Sequence, residues 1–196
     1  MDILIAGVGG QGTILASKIL AKCAVISGKN ARTGETIGMS QRGGCVVSHV
    51  RTGEASSPYI PQRSADVLLA FELCEGARGI AQLKPQGKAL VNTAEIMPVA
   101  AAIGKAEYNA CKMREYIEQN CGEAVFVDAD GIAQSCGSVK AVNIVMLGAA
   151  ARLGWLDMDR EMLADVIIQS VAPKFREMNM AAFEAGEKYI EESMRR

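Results

Sequence analysis

A glycine-rich hexapeptide at residues 7–12, GVGGQG, comes directly after the short apolar run ILIA at 3–6. The apolar run is typical of a buried first strand. Residues 11–27 then predict a helix, because one stripe of apolar side chains recurs at helical spacing, formed by Leu15, Ile19, Cys23 and Ile26. A G-x-G-x-x-G segment between a strand and a helix predicts a Rossmann-like first β-loop-α unit.

Strand and helix patterns alternate along the rest of the chain. Further strands are predicted at 29–32, 45–51, 67–70, 89–91 and 124–127. Helices are predicted at 74–83 and 111–119, and the last third is helical, with Asp159 as a helix cap. The last of these helices has an apolar stripe formed by Phe175, Met178, Ala182, Ala185 and Tyr189. This alternation predicts an α/β fold with a mostly parallel sheet in three layers, as a single domain over residues 1–196.

Charge and composition exclude several classes of function. The formal net charge is -1 and no run of Lys or Arg stands out, so nucleic-acid binding is not expected. The N-terminus lacks the basic region of a signal peptide, and the longest apolar stretch, 141–156, contains Asn143 and Arg152. We therefore expect a cytoplasmic protein that does not contact a membrane.

The potential metal ligands are few and scattered along the sequence. No two of the six cysteines form a C-x-x-C pair, and His49 is the only histidine. This spacing argues against a zinc ribbon or an iron–sulfur cluster within the chain. We expect no metal site, reduced and mostly buried thiols, and a histidine packed in a strand.

The hexapeptide allows more than one interpretation. It could bind a dinucleotide, or it could be a tight turn that binds no ligand. A NAD site needs an apolar second strand that ends in an acidic residue, but residues 28–35 are polar and Glu35 follows two turn formers. Arg32 could instead suit the 2′-phosphate of NADP. We expect the isolated chain to bind NAD(P)H weakly or not at all.

A second glycine-rich segment spans residues 33–44 and is predicted to be a loop. It contains four glycines and a single arginine, Arg42. Such a loop is costly to order, and loops at the carboxyl edge of a parallel sheet commonly carry function, although a solvated surface loop remains the alternative. We expect it to lie near the 7–12 turn at that edge.

The two glycine-rich segments together resemble a known family. The resemblance extends over nearly the whole chain and is carried by residues 7–12 (GVGGQG), 38–44 (GMSQRGG), 48–51 (SHVR), 66–70 (DVLLA) with Glu72 and Glu75, 142–148 (VNIVMLG) and 179–186 (NMAAFEAG). These motifs are similar to those of the small, gamma-type subunit of indolepyruvate and other 2-oxoacid:ferredoxin oxidoreductases. One departure is Ile37, where the family pattern leads us to expect a histidine.

The resemblance implies a subunit of an enzyme that oxidatively decarboxylates a 2-oxoacid to an acyl-CoA and passes electrons to ferredoxin. Thiamine diphosphate, Mg²⁺, iron–sulfur clusters and CoA would belong to the assembled complex with a large partner subunit, and no catalytic residue or metal is expected in this chain. The candidate cofactor-binding residues are Gly7, Gly9, Gly10, Gln11, Gly12, Gln41, Arg42, Gly43 and Gly44. A free-standing NADP-binding reductase, or a regulatory or assembly module, is the alternative.

Overall fold

The computed structural model describes residues 1–38, 44–104 and 107–195, in which strands and helices alternate. The strands are β1 (Asp2–Val8), β2 (Ala31–Ile37), β3 (Cys45–Thr52), β4 (Ala65–Ala70), β5 (Leu83–Asn92) and β6 (Glu123–Val127). The helices are α1 (Thr13–Ile26), α2 (Leu73–Gly79), α3 (Val99–Ala102), α4 (Ala110–Gln119), α5 (Ala129–Ser135), α6 (Val142–Arg152), α7 (Arg160–Ser170) and α8 (Arg176–Ser193). None of the helices in the described part of the chain is both long and apolar enough to cross a membrane.

The strands form one sheet in the order β2-β3-β1-β4-β5-β6. Strands β1, β4, β5 and β6 pair in parallel, whereas β3 is antiparallel to both β1 and β2. The prediction of a mostly parallel α/β sheet is therefore confirmed. The antiparallel β3 was not foreseen, and it occupies the place beside β1 that a second parallel strand takes in a dinucleotide-binding unit.

Two hydrophobic cores lie on opposite faces of the sheet. Alternate side chains of β1 serve each of them: Ile3 and Ile5 belong to one core, and Leu4 and Ala6 to the other. Helices α1 and α5 to α8 contribute to the first core, and α2 and α4 to the second. Because both faces are covered by helices, the structure confirms the predicted three layers.

Helices α6 and α8 pack so closely that glycine is needed at their contact. A Cβ atom on Gly148 would lie 2.1 Å from the Phe183 carbonyl oxygen, and one on Gly186 would lie 2.2 Å from the Val145 carbonyl oxygen. The buried side of α8 is accordingly formed by Asn179, Ala182, Phe183, Gly186 and Ile190. The predicted stripe was wrong by about one residue, since Phe175 is 45% exposed.

Two predicted boundaries also need correction. Residues 33–37 were predicted to be loop but belong to β2, because their backbone pairs with β3 from Thr33 opposite Val50 to Ile37 opposite Val46. The predicted helix 74–83 ends earlier: α2 is followed by one 3₁₀ turn, Ile80–Gln82, and Leu83 already begins β5.

The N-terminus is held at the amino end of β1. The Met1 ammonium group donates to the Thr52 carbonyl oxygen at 3.0 Å, and the Thr52 amide donates to the Met1 carbonyl oxygen at 2.8 Å. The first residue of the chain is therefore attached to the end of β3, at the edge of the sheet opposite the glycine-rich turn.

Candidate functional site

The turn at residues 7–12 joins β1 to α1, as predicted. Gly10 has φ +103° with open space around it, and Gly12 begins the helix at φ +80°, a conformation that favours glycine. Gly7 is required for a different reason, since a Cβ atom there would lie 2.8 Å from the Gln11 side-chain oxygen and 3.1 Å from Phe71 Cβ. The glycines thus allow both the tight turn and its close approach to the end of β4.

The side chain of Gln11 holds this turn in place. Its Oε1 accepts from the Val8 amide at 2.9 Å, and its Nε2 donates to the Phe71 carbonyl oxygen at 2.8 Å. The same carbonyl oxygen accepts from Asn92 Nδ2 at 2.9 Å, while Asn92 Oδ1 accepts from the Ala129 amide at 3.0 Å. These bonds tie together the carboxyl ends of β1, β4 and β5, so the structure gives Gln11 a positioning role, and its contact with a cofactor stays a prediction.

We expect Gln11→Ala to lower the free energy of unfolding by about 1–3 kcal/mol, because it removes the partner of a part-buried backbone amide. Urea denaturation of the purified chain measures this change. Gln134→Ala, at an exposed glutamine of α5, is the matched control and should shift stability by less than about 0.5 kcal/mol. Equal stability of the two variants would contradict the role of Gln11.

Two described glycines of the second segment, Gly38 and Gly44, lie beside the first segment. The Gly9 amide donates to the Gly44 carbonyl oxygen at 2.9 Å, and the Gly38 amide donates to the Cys45 carbonyl oxygen at 2.8 Å. Gly44 is thus placed at the carboxyl end of β1 with the candidate residues of the turn. The candidates Gln41, Arg42 and Gly43 lie outside the described residues.

The first turn of α1 suits an anionic group. Gly12 provides no side-chain cap, and the turn carries no acidic residue. Uncapped N–H groups and the helix dipole favour a phosphate or carboxylate at such an end. Gly10 is exposed beside it, so the backbone of the turn is accessible to a phosphate-bearing cofactor.

Most of the large exposed apolar side chains lie around the same edge of the sheet. Segment 93–104 leaves the carboxyl end of β5 and includes α3, which has no buried residue. Phe175 lines a cavity of about 600 Å³ that reaches Leu15 in the first turn of α1, and Val139 lies between two other lining residues, Ser138 and Lys140. We call this surface the carboxyl-edge face and define it by Ile37 (60% exposed), Met97 (55%), Val99 (70%), Ile103 (60%), Val139 (51%) and Phe175 (45%). Such a surface is typical of a protein–protein interface.

Glu72 and Glu75, which belong to the family motifs, form with Cys74 a buried polar cluster at the start of α2 that sequence reasoning did not predict. Glu72 caps this helix by accepting from the Cys74 and Glu75 amides. Burial, followed by a hydrogen bond to Glu75, raises the pKa of the Cys45 thiol to about 12, and burial also raises the pKa values of Glu72 and Cys74. Glutamate is not a usual capping residue, and Cys45 is distant in sequence, so the motif did not indicate that these groups are buried together.

His49 and Glu35 both form hydrogen bonds within the protein. His49 is buried in β3, where its Nδ1 accepts from the Ile60 amide at 3.2 Å, and burial lowers its pKa. This agrees with its interpretation as a packed strand residue. Glu35 lies on β2, two strands away from β1, and accepts from Ser17 Oγ at 3.4 Å. It therefore does not occupy the position of the acidic residue in a NAD site.

An α/β sheet with a glycine-rich turn at its carboxyl edge, next to exposed apolar side chains, belongs to a class of domain in which cofactors and partner proteins commonly bind at that edge. The profile of the family described as pyruvate ferredoxin/flavodoxin oxidoreductase matches residues 2–189. The chain belongs to this family, which confirms the resemblance seen in its motifs and does not favour a free-standing NADP-binding reductase.

Relatives and solved structures agree with this membership. The indolepyruvate oxidoreductase subunit IorB of Thermococcus kodakarensis is 37% identical, with 98% of this chain and 97% of the relative covered. The subunit of the same name from Pyrococcus horikoshii is 36% identical over the same shares. The gamma subunit of a keto/oxoacid ferredoxin oxidoreductase from Geobacter sulfurreducens PCA has a TM-score of 0.69 at 26% identity, with 96% of this chain and 97% of that chain covered.

Proposed function

We propose that the chain is the small subunit of a ferredoxin-dependent 2-oxoacid oxidoreductase of the indolepyruvate type. The observation that carries this proposal is the match, over nearly the full length of both chains, to subunits named for indolepyruvate oxidoreductase. The complex would convert an aryl pyruvate to an acyl-CoA and pass electrons to ferredoxin. The isolated chain, residues 1–196 as one gamma-type domain, would show no turnover.

The cofactors of the reaction would be bound largely by the partner. In the described part of this chain, the one group of side chains that could ligate a metal contains a single cysteine, so a cysteine-ligated iron–sulfur cluster does not fit here. Thiamine diphosphate, Mg²⁺ and the clusters would supply decarboxylation and electron transfer from a large subunit. The six free cysteines suit a reducing cytoplasm.

The glycine-rich residues would meet a cofactor only in the complex. Gly10 is exposed and α1 begins without a cap, an arrangement that fits a phosphate such as those of CoA. Gly7, Gly9, Gln11 and Gly12 would shape the turn, and residues 41–44 would complete the site from the second segment. The carboxyl-edge face would contact the large subunit, because its apolar side chains are exposed at the same edge of the sheet as this turn.

Co-expression of the chain with a large thiamine-dependent subunit, followed by a viologen-reduction assay with indolepyruvate and CoA, tests the function. We expect turnover only when both chains are present. Turnover by the chain alone, or tight binding of NADPH by the chain alone, would support the reductase alternative instead.

Arg42→Ala should lower the activity or the assembly of that complex by at least about tenfold. An arginine at an interface forms charge-assisted hydrogen bonds to a carboxylate or phosphate, and leaving such a partner buried and unpaired costs about 2–5 kcal/mol. The same viologen assay measures the loss. Arg32→Ala, at an exposed arginine of the edge strand β2, is the control and should keep full activity; equal rates in both variants would contradict the role of Arg42.

A further inference from the structure

Three side chains with metal-ligating atoms meet in the first turn of α2. Ligand atoms of Glu72, Cys74 and Glu75 all lie within 4.8 Å of one another, and the residues are only 0%, 6% and 3% exposed. Cys45 adjoins them from the start of β3, since its thiol is close enough to Glu75 for that carboxylate to raise its pKa. The group thus links β3 to the helix that follows β4.

The cluster contains more negative than positive charge. Both carboxylates are buried. Among the described residues, Arg78 is the one cation whose charge acts on Glu72, Cys74 or Cys45, and it pairs with Glu75. The Arg78 side chain is itself 54% exposed, so much of its charge is solvated. Burying an uncompensated carboxylate is costly unless the group is neutralised or a cation is bound.

Within the described part of the chain, one polar atom of the cluster and one of a neighbouring residue have no hydrogen-bond partner. Glu75 is 97% buried, and its Oε2 accepts no hydrogen bond from a described residue. The buried hydroxyl of Tyr108 also lacks a hydrogen bond there. Tyr108 is close enough to Glu72 and Cys74 for their charges to raise its pKa, after burial as the main cause. Buried polar atoms are normally satisfied, so Glu75 Oε2 is suited to accept a further partner.

We propose that Glu72, Cys74 and Glu75 bind one divalent transition-metal ion of the Zn²⁺ type. A thiolate selects Zn²⁺ or a similar ion over Mg²⁺ and Ca²⁺, and carboxylate oxygens complete such sites. With the thiolate and two carboxylates bound, the three negative charges are balanced by the ion and Arg78 together. A neutral buried cluster removes the cost that the uncompensated charge imposes.

The ligand atoms remain available for this role. Glu75 Oε2 is free, and each oxygen of Glu72 that accepts a backbone amide retains a second lone pair. The Cys74 thiol would lose its proton to solvent when the ion binds, and no electron is transferred. Three protein ligands leave a fourth position, which the adjacent Cys45 thiol or a water molecule would fill.

Cobalt spectroscopy of the purified full-length chain tests the site. After removal of metals with a chelator, we expect Co²⁺ to bind at one equivalent with a near-ultraviolet thiolate charge-transfer band, and Zn²⁺ to displace it. Cys74→Ala should abolish the band and weaken Zn²⁺ binding by at least about tenfold, since loss of even an outer partner of a ligand costs about 10–100-fold. Cys111→Ala, at an exposed cysteine of α4, is the matched control and should bind as the parent does.

Glu75→Gln, which keeps the shape of the side chain and removes its charge, is the second variant if Cys74→Ala does not fold. It should retain the charge-transfer band but weaken Zn²⁺ binding by at least about tenfold. Binding of Co²⁺ without a thiolate band, no binding at one equivalent, or equal losses in the Cys111 variant would each overturn the proposal. The readout uses no partner subunit, so it is independent of the proposed oxidoreductase function.

Discussion

Gly186→Ala should lower the free energy of unfolding by about 3 kcal/mol, at the upper end of the cost of overpacking. Its added Cβ atom would lie 2.2 Å from the Val145 carbonyl oxygen and 3.1 Å from the Ala149 amide nitrogen. Both are backbone atoms of α6 and cannot rotate away, so the two helices would have to separate. For a chain of this length the midpoint of thermal unfolding should fall by about 6–12 °C.

The expected loss of stability is informative because replacing glycine by alanine in a helix usually raises stability. In an exposed helix, alanine is more favourable than glycine by about 1 kcal/mol. Glu184→Ala, on the exposed side of α8, is the control and should change the midpoint little. Calorimetry that found Gly186→Ala as stable as the parent would show that α6 and α8 do not pack backbone to backbone.

Val99→Asp should weaken binding to the large subunit by at least about hundredfold, or about 2.7 kcal/mol. Val99 is the most exposed residue of the carboxyl-edge face, and α3 has no buried residue. Its substitution should therefore leave the fold intact. In the proposed interface the new carboxylate would be buried without a partner, which costs about 3–5 kcal/mol.

Surface plasmon resonance with the immobilised large subunit measures this loss. Val25→Asp is the matched control, because Val25 is 60% exposed but lies in the last turn of α1, at the opposite edge of the sheet. Its affinity should match that of the parent. If Val25→Asp lost affinity and Val99→Asp did not, the docking surface would be on the other edge.

The parts of the fold that depend on local pattern could be predicted from the sequence. The turn at 7–12 and helix α1 follow from glycine spacing and one apolar stripe, and Asp159 accepts from the Met162 amide at 2.9 Å, as its predicted capping role requires. Strand β2 was cut short in the prediction because its residues 33–37 are polar. Its extent is decided by pairing with β3, a contact between distant residues.

The remaining features depend on contacts that spacing does not reveal. The predicted apolar stripe of α8 was wrong by about one residue because Gly186 has no side chain to mark the buried side of the helix. Gly186 is nevertheless the residue that allows α6 to approach closely. Cys45 adjoins the cluster at Glu72 because the strand register places it opposite Val8. The carboxyl-edge face is assembled from loops after several strands, and exposure cannot be read from any one of them.

The attachment of Met1 to Thr52 has a practical consequence for biochemical work. Because these backbone hydrogen bonds place the amino terminus at the edge of the sheet away from the carboxyl-edge face, a purification tag or fluorophore fused before Met1 would extend away from the proposed partner. Fusion converts the Met1 ammonium group to an amide, which keeps one N–H for the Thr52 carbonyl oxygen. A label at this end can therefore be used to capture the chain or to measure distances without covering the carboxyl-edge face.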